Sequence, residues 1–101
     1  MATLNLTITN QVQEQAVNYT GVRVRFQRST DGGTTYADVQ SNVRALGTTA
    51  DTYLVPAGQP GHYRASATLT DGVSFGQEVF STVMQVATFN VLTPITVAFS
   101  V

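Results

Sequence analysis

Hydrophobic residues in this chain recur at every second position. Leu4, Leu6 and Ile8 alternate with Thr3, Asn5 and Thr7, which predicts a half-buried strand at the start. Val22, Val24 and Phe26 alternate with Arg23, Arg25 and Gln27 and predict a second. The longest alternation covers residues 62–70: Tyr63, Ala65, Ala67 and Leu69 face one way, Arg64, Ser66, Thr68 and Thr70 the other. Ile95, Val97, Phe99 and Val101 close the chain in the same manner. Shorter strands are expected at residues 36–40 and 53–55. Val73, Phe75 and Val79 are expected to share one face of a returning strand. Residues 84–91 are apolar on both faces, which implies burial on both. Residues 10–18 are Gln-rich and polar and read as a connection, and residues 41–52 are weakly patterned, with a break at Gly47.

The punctuation agrees with this reading. Pro56-Ala57-Gly58-Gln59-Pro60-Gly61 is a turn cluster, Asp71-Gly72 signals a tight hairpin, and Leu92-Thr93-Pro94 breaks the last apolar run. No 3.6-residue period is sustained, and Val and Thr are poor helix formers. The expectation is an all-β chain of about eight strands in a single domain, residues 1–101, forming a β-sandwich that is immunoglobulin-like or jelly-roll-like.

The most specific local signal is Ser29-Thr30-Asp31-Gly32-Gly33-Thr34-Thr35-Tyr36. Ser29 and Asp31 can accept hydrogen bonds from loop N–H groups. Gly33 and its neighbour Gly32 admit positive φ, and Tyr36 can fold over the base of the turn. Ser29, Asp31, Gly33, Thr35 and Tyr36 are therefore assigned a structural turn. The stretch is similar to the Asp-box, with Tyr36 in place of the usual Trp. In families that carry it, the Asp-box is a structural hairpin, repeated once per blade in sialidase-like propellers. A single copy in 101 residues does not build a propeller. Residues 21–79 resemble fibronectin type III and related immunoglobulin-like sandwiches, including bacterial and phage modules with a Ser-x-Asp-Gly-Gly-x-Thr-aromatic hairpin. That resemblance implies that Tyr63, following Pro60-Gly61-His62, closes a corner by bonding back to the backbone.

Composition narrows function by exclusion. Charged residues make up 11%, against roughly 25% in ordinary soluble domains. The net charge is −1 and there is no Lys, so the chain has no broad electrostatic footprint for nucleic acid. Without Cys and with a single His, thiolate zinc and His-rich metal sites are excluded. No cofactor or metal is implied. No apolar run approaches the ~20 residues of a membrane helix, and no signal peptide is visible, so folding in a reducing cytoplasm is expected. His62 lacks a nearby nucleophile or acidic orienter in sequence. Glu14 and Glu78 form no more than an arbitrary carboxylate pair. Asp31 with Asp38 offers too few oxygens for calcium.

The candidate contact residues are the cations Arg23 and Arg25 on one strand face with Arg28 just beyond, and the apolar Phe80, Met84, Val86, Phe89 and Val91. Residues 80–101 either complete the sandwich or meet a second chain. The expected function is non-enzymatic. The chain is read as a virion structural protein made in the host cytoplasm: a phage capsid decoration or cement protein, or a tail or neck accessory. It would dock on other virion subunits, as a homo-oligomer, with no nucleic acid or membrane partner. The alternative is a carbohydrate- or cell-surface-binding module from a larger secreted enzyme or adhesin.

Overall fold

The computed structural model describes residues 2–10, 19–56, 58–86 and 95–100. Those residues form strands and turns, with no helix among them. The strands are β1 (Ala2–Asn10), β2 (Gly21–Ser29), β3 (Ala37–Ala45), β4 (Ala50–Val55), β5 (Gly61–Thr70), β6 (Val79–Phe80), β7 (Met84–Val86) and β8 (Ile95–Ser100). They assemble into two sheets. The smaller has the order β4-β1-β8, and the larger has β3-β2-β5-β6, with β7 also on β5. Every pairing is antiparallel except that of β1 with β8, which is parallel.

The alternation seen in sequence becomes the core. Leu4, Leu6, Ile8 and Val55 of the smaller sheet meet Val22, Val24, Phe26, Tyr63, Ala65, Ala67 and Leu69 of the larger, all buried in one cluster. Tyr53 of β4 links the sheets: its ring stacks on Phe26 at 5.9 Å between centroids and tilts against Tyr63 at 6.3 Å. The spine of the larger sheet is the β2–β5 ladder, which is unbroken from Gly21↔Thr70 to Ser29↔His62. Gly61 opens β5 with φ +152°, and a Cβ there would sit 2.6 Å from the Ser29 carbonyl oxygen. Only glycine lets the two strand ends approach so closely.

Three expectations are revised. The return strand after the Asp31 turn extends to Ala45 rather than stopping near residue 40, and β4 begins at Ala50 rather than residue 53. Both are edge strands. Most of β3 is exposed on both faces, so its side chains carry no alternation to read. Side chains tie the two edges together: Arg44 pairs with Asp51 at 3.0 Å, and Gln40 Nε2 donates to the Thr52 carbonyl at 3.1 Å. The third revision concerns Val73 and Phe75, which do not turn inward with Val79. Val73 is 87% exposed and Phe75 48%. The Asp71 carboxylate accepts from the Val73 and Ser74 amides and holds the chain in a turn before the Thr70↔Phe75 bridge. Of the expected 84–91 strand, residues 84–86 form β7; the rest lies outside the described residues.

Candidate interaction surface

With Val22, Val24 and Phe26 turned into the core, alternation places Arg23, Arg25 and Gln27 on the outer face of the larger sheet. The same rule puts Arg64, Ser66 and Thr68 of β5 beside them. Register then sets the pairs: Arg23 opposite Thr68, Arg25 opposite Ser66, Gln27 opposite Arg64. The segment after the Asp71 turn brings Glu78 and two phenyl rings onto this face.

These groups form one connected network. Arg25 Nε donates to Glu78 Oε2 at 2.8 Å and Nη2 to Oε1 at 2.6 Å, while the Ser66 hydroxyl donates to the same carboxylate. Arg23 lies 4.0 Å from Glu78, with its guanidinium 4.3 Å from the centre of the Phe75 ring. Arg25 also reaches Asp38 at 3.5 Å. Asp38 accepts from Gln27 Nε2, and Gln27 Oε1 accepts from Arg64 Nε, each at 2.8 Å. The Arg64 guanidinium is clamped between two rings, 4.0 Å from the centre of Tyr36 and 4.1 Å from that of Phe80. Burial pushes the Glu78 carboxyl up, but hydrogen bonds from Arg25 and Ser66 and the charges of Arg25 and Arg23 outweigh it, leaving the group below its ordinary value. Two gaps remain among the described residues: Arg23 Nε and Thr68 Oγ1, on opposed residues, and the Tyr36 hydroxyl are buried without a hydrogen-bond partner.

Polar groups on this face are thus largely satisfied from within, whereas its apolar groups are not. Phe75 is 48% exposed and Phe80 41%; Val73 and Val83 stand open in the same segment. The result is an arginine-laced aromatic surface on a rigid sheet, an arrangement suited to contact with another macromolecule.

The Asp31 turn closes on itself. Ser29 Oγ donates to Asp31 Oδ1 at 2.6 Å and accepts from the Gly33 amide at 2.9 Å. Asp31 Oδ1 also accepts from the amides of Thr34 (3.1 Å) and Thr35 (2.9 Å), and Oδ2 from the Thr35 hydroxyl. These bonds, the Ser29 hydroxyl first, hold the Asp31 carboxyl far below the usual range. Gly32 and Gly33 take φ of 79° and 93°. At the same end of the β2–β5 ladder, where Ser29 faces His62, the Tyr63 hydroxyl donates to the Gln59 carbonyl at 2.7 Å and pins the corner between β4 and β5.

Several candidate contact residues fall elsewhere than the sequence placed them. Arg28 is on the opposite side of β2 from Arg23 and Arg25, where its Nε and Nη2 both donate to the Pro60 carbonyl. The third cation of the outer face is instead Arg64. Phe80 lies on that face. Met84 packs partly buried against the core and is not an exposed contact. Val86 ends β7, while Phe89, Val91 and Glu14 lie outside the described residues. His62, half-buried, is paired in register with Ser29 and Gln85. Among the described residues no three His, Asp or Glu side chains gather as a metal site would require. Sequence reasoning missed Phe75, Arg64 and Glu78 as members of one surface. The outward phase of Arg64 was legible, but Glu78, the partner of Arg25, stands 53 residues away in the chain. No family model matches this chain, and neither the curated proteins nor the solved structures contain a match.

Proposed function

We propose that this chain is a non-enzymatic structural protein of a virion, a phage capsid decoration or cement protein or a tail or neck accessory, that works by protein–protein docking. The observation that carries the reading is the outer face of the larger sheet. Its arginines and carboxylates are spent on one another, while Phe75 and Phe80 on that face, and Val73 and Val83 in the same segment of chain, remain open to water. Covering such a patch gains roughly 25 cal/mol per Å2 of apolar surface, and the fixed Arg–aromatic stacks lose little entropy when covered. Low charge and the lack of Lys and Cys fit a protein made in a reducing cytoplasm and released into a crowded assembly. The immunoglobulin-like reading of the sandwich is supported by the Tyr63 corner bond and by the core shared between the two sheets.

The test is protein mass spectrometry on particles purified after host lysis, in parallel with light scattering of the isolated chain. The expected result is the chain present in particles in stoichiometric amount. The Val73→Asp/Val83→Asp double variant, altered only at exposed positions, should fold as the parent does yet incorporate poorly. Absence of the chain from particles, or full incorporation of the double variant, overturns the proposal.

A further inference from the structure

The outer face of the larger sheet carries an uneven charge. Among the described residues it holds the guanidinium groups of Arg23, Arg25 and Arg64 and the carboxylates of Asp38 and Glu78, a net +1 in a chain of net −1. Both carboxylates are engaged: Glu78 by Arg25 and Arg23, Asp38 by Arg25 and the Gln27 amide. Arg64 makes no ion pair among the described residues. Its Nε is fixed on the neutral Gln27 Oε1 at 2.8 Å, and the Tyr36 and Phe80 rings lie over its two faces at 4.0 and 4.1 Å. Stacking leaves the in-plane edge, with Nη1 and Nη2, as the side from which a charged group can approach. Arg64 is half-buried, and one of the rings that cover it, Phe80, is 41% exposed.

A partner that seals Phe80 from water therefore seals Arg64 as well. Taking a guanidinium out of water with no counter-charge is strongly unfavourable, whereas a carboxylate meeting both Nη groups offsets that loss. We propose that the protein docking on this face presents an Asp or Glu carboxylate to Arg64 from an otherwise apolar surface. The inference rests on the docking reading above and adds the chemistry of the partner. That partner is a different protein: a second copy offering the same face would bring another net positive charge against the first. A phosphodiester chain is a poor fit, because it is held by several cations in a row and this face has one to spare.

The test is rebinding of the labelled full chain to particles assembled without it, before and after the particles' carboxylates are converted to neutral amides with carbodiimide and methylamine. Amidation should weaken the parent by about tenfold or more, the scale of one charge-assisted pair. Arg64→Gln should weaken binding to untreated particles by a similar factor, and amidation should then cost that variant little further. Such coupling marks a direct contact, whereas an Arg64 that merely braces Tyr36 and Phe80 gives two losses that multiply. The proposal is overturned if amidation leaves the parent's binding undiminished, if Arg64→Gln binds as the parent does, or if the two losses multiply. Light scattering that shows the parent as a dimer and Arg64→Gln as a monomer would also overturn it, assigning the face to a second copy. Failure of the docking reading looks different: the parent then does not bind particles, or the Val73→Asp/Val83→Asp variant binds as well as the parent, and this proposal falls with it.

Discussion

Replacing Tyr63 by Phe removes one oxygen atom from the centre of this fold. The ring itself is 1% exposed and packs among Tyr53, Phe26 and the alanines of β5, and Phe preserves all of that packing. What disappears is the hydrogen bond to the Gln59 carbonyl at 2.7 Å. A hydrogen bond of this kind contributes a net ~0.5–1.5 kcal/mol, and a buried acceptor left alone costs more than one that water can reach. Gln59 is half-buried, so its carbonyl recovers only part of its solvation. A small void where the hydroxyl stood adds to the loss. The sum is a destabilisation of about 1–2 kcal/mol. For a domain of this size each kcal/mol lowers Tm by about 4–8 °C, so a fall of roughly 5–15 °C is expected. Reversible denaturant unfolding followed by circular dichroism gives the free energy, and a thermal scan gives the Tm. An unfolding curve for Tyr63→Phe that superimposes on the parent's would refute the reasoning, because the corner would then hold without its hydroxyl.

Other outcomes follow from the outer-face network. Glu78→Gln should lower stability at neutral pH by about 1 kcal/mol, allowing for the fifth of the side chain open to water. The pH dependence has a definite sign. The Glu78 carboxyl is held below its ordinary 4.5, so the unfolded chain takes up the proton first; the stabilisation is complete above that value and is lost as pH falls through the folded-state value. The gap between parent and Glu78→Gln should therefore close on acidification, and a gap that widens in acid contradicts the pairing with Arg25. Thr68→Val removes a buried hydroxyl that has no partner, so denaturant melts should show stability unchanged or raised by about 1 kcal/mol. A clear loss would mean that the hydroxyl is bonded after all.

The legible parts of this fold are those where one strand face is buried and the other is not. Among the described side chains, β1, β2 and β5 supply nearly all of the buried core, and their two-residue period marks which residues enter it. The Asp31 turn was legible for a different reason: its bonds span at most four residues, so its chemistry is written locally. β3 was only half visible because an edge strand exposed on both faces needs no alternation. The outer face was hidden by distance and by a default assumption. Arg25 and Glu78 meet only once β5 and the following segment have folded back beside β2. Phe75 was read as sharing a face with Val79, whereas its ring lies against the Arg23 guanidinium on the sheet surface, as that of the candidate contact residue Phe80 lies against Arg64. Arg28 was misplaced by one step of the strand, which is enough to move a side chain to the opposite face.

The central claim is that the surface carried by residues 73–83 is where this protein meets its neighbours. Amide hydrogen exchange, compared between the free chain and the chain in assembled particles, addresses it most directly. The account predicts slowed exchange across residues 73–83 in the particle, with the β2–β5 ladder equally protected in both states. Unchanged exchange at residues 73–83, with new protection confined to other parts of the chain, would contradict it.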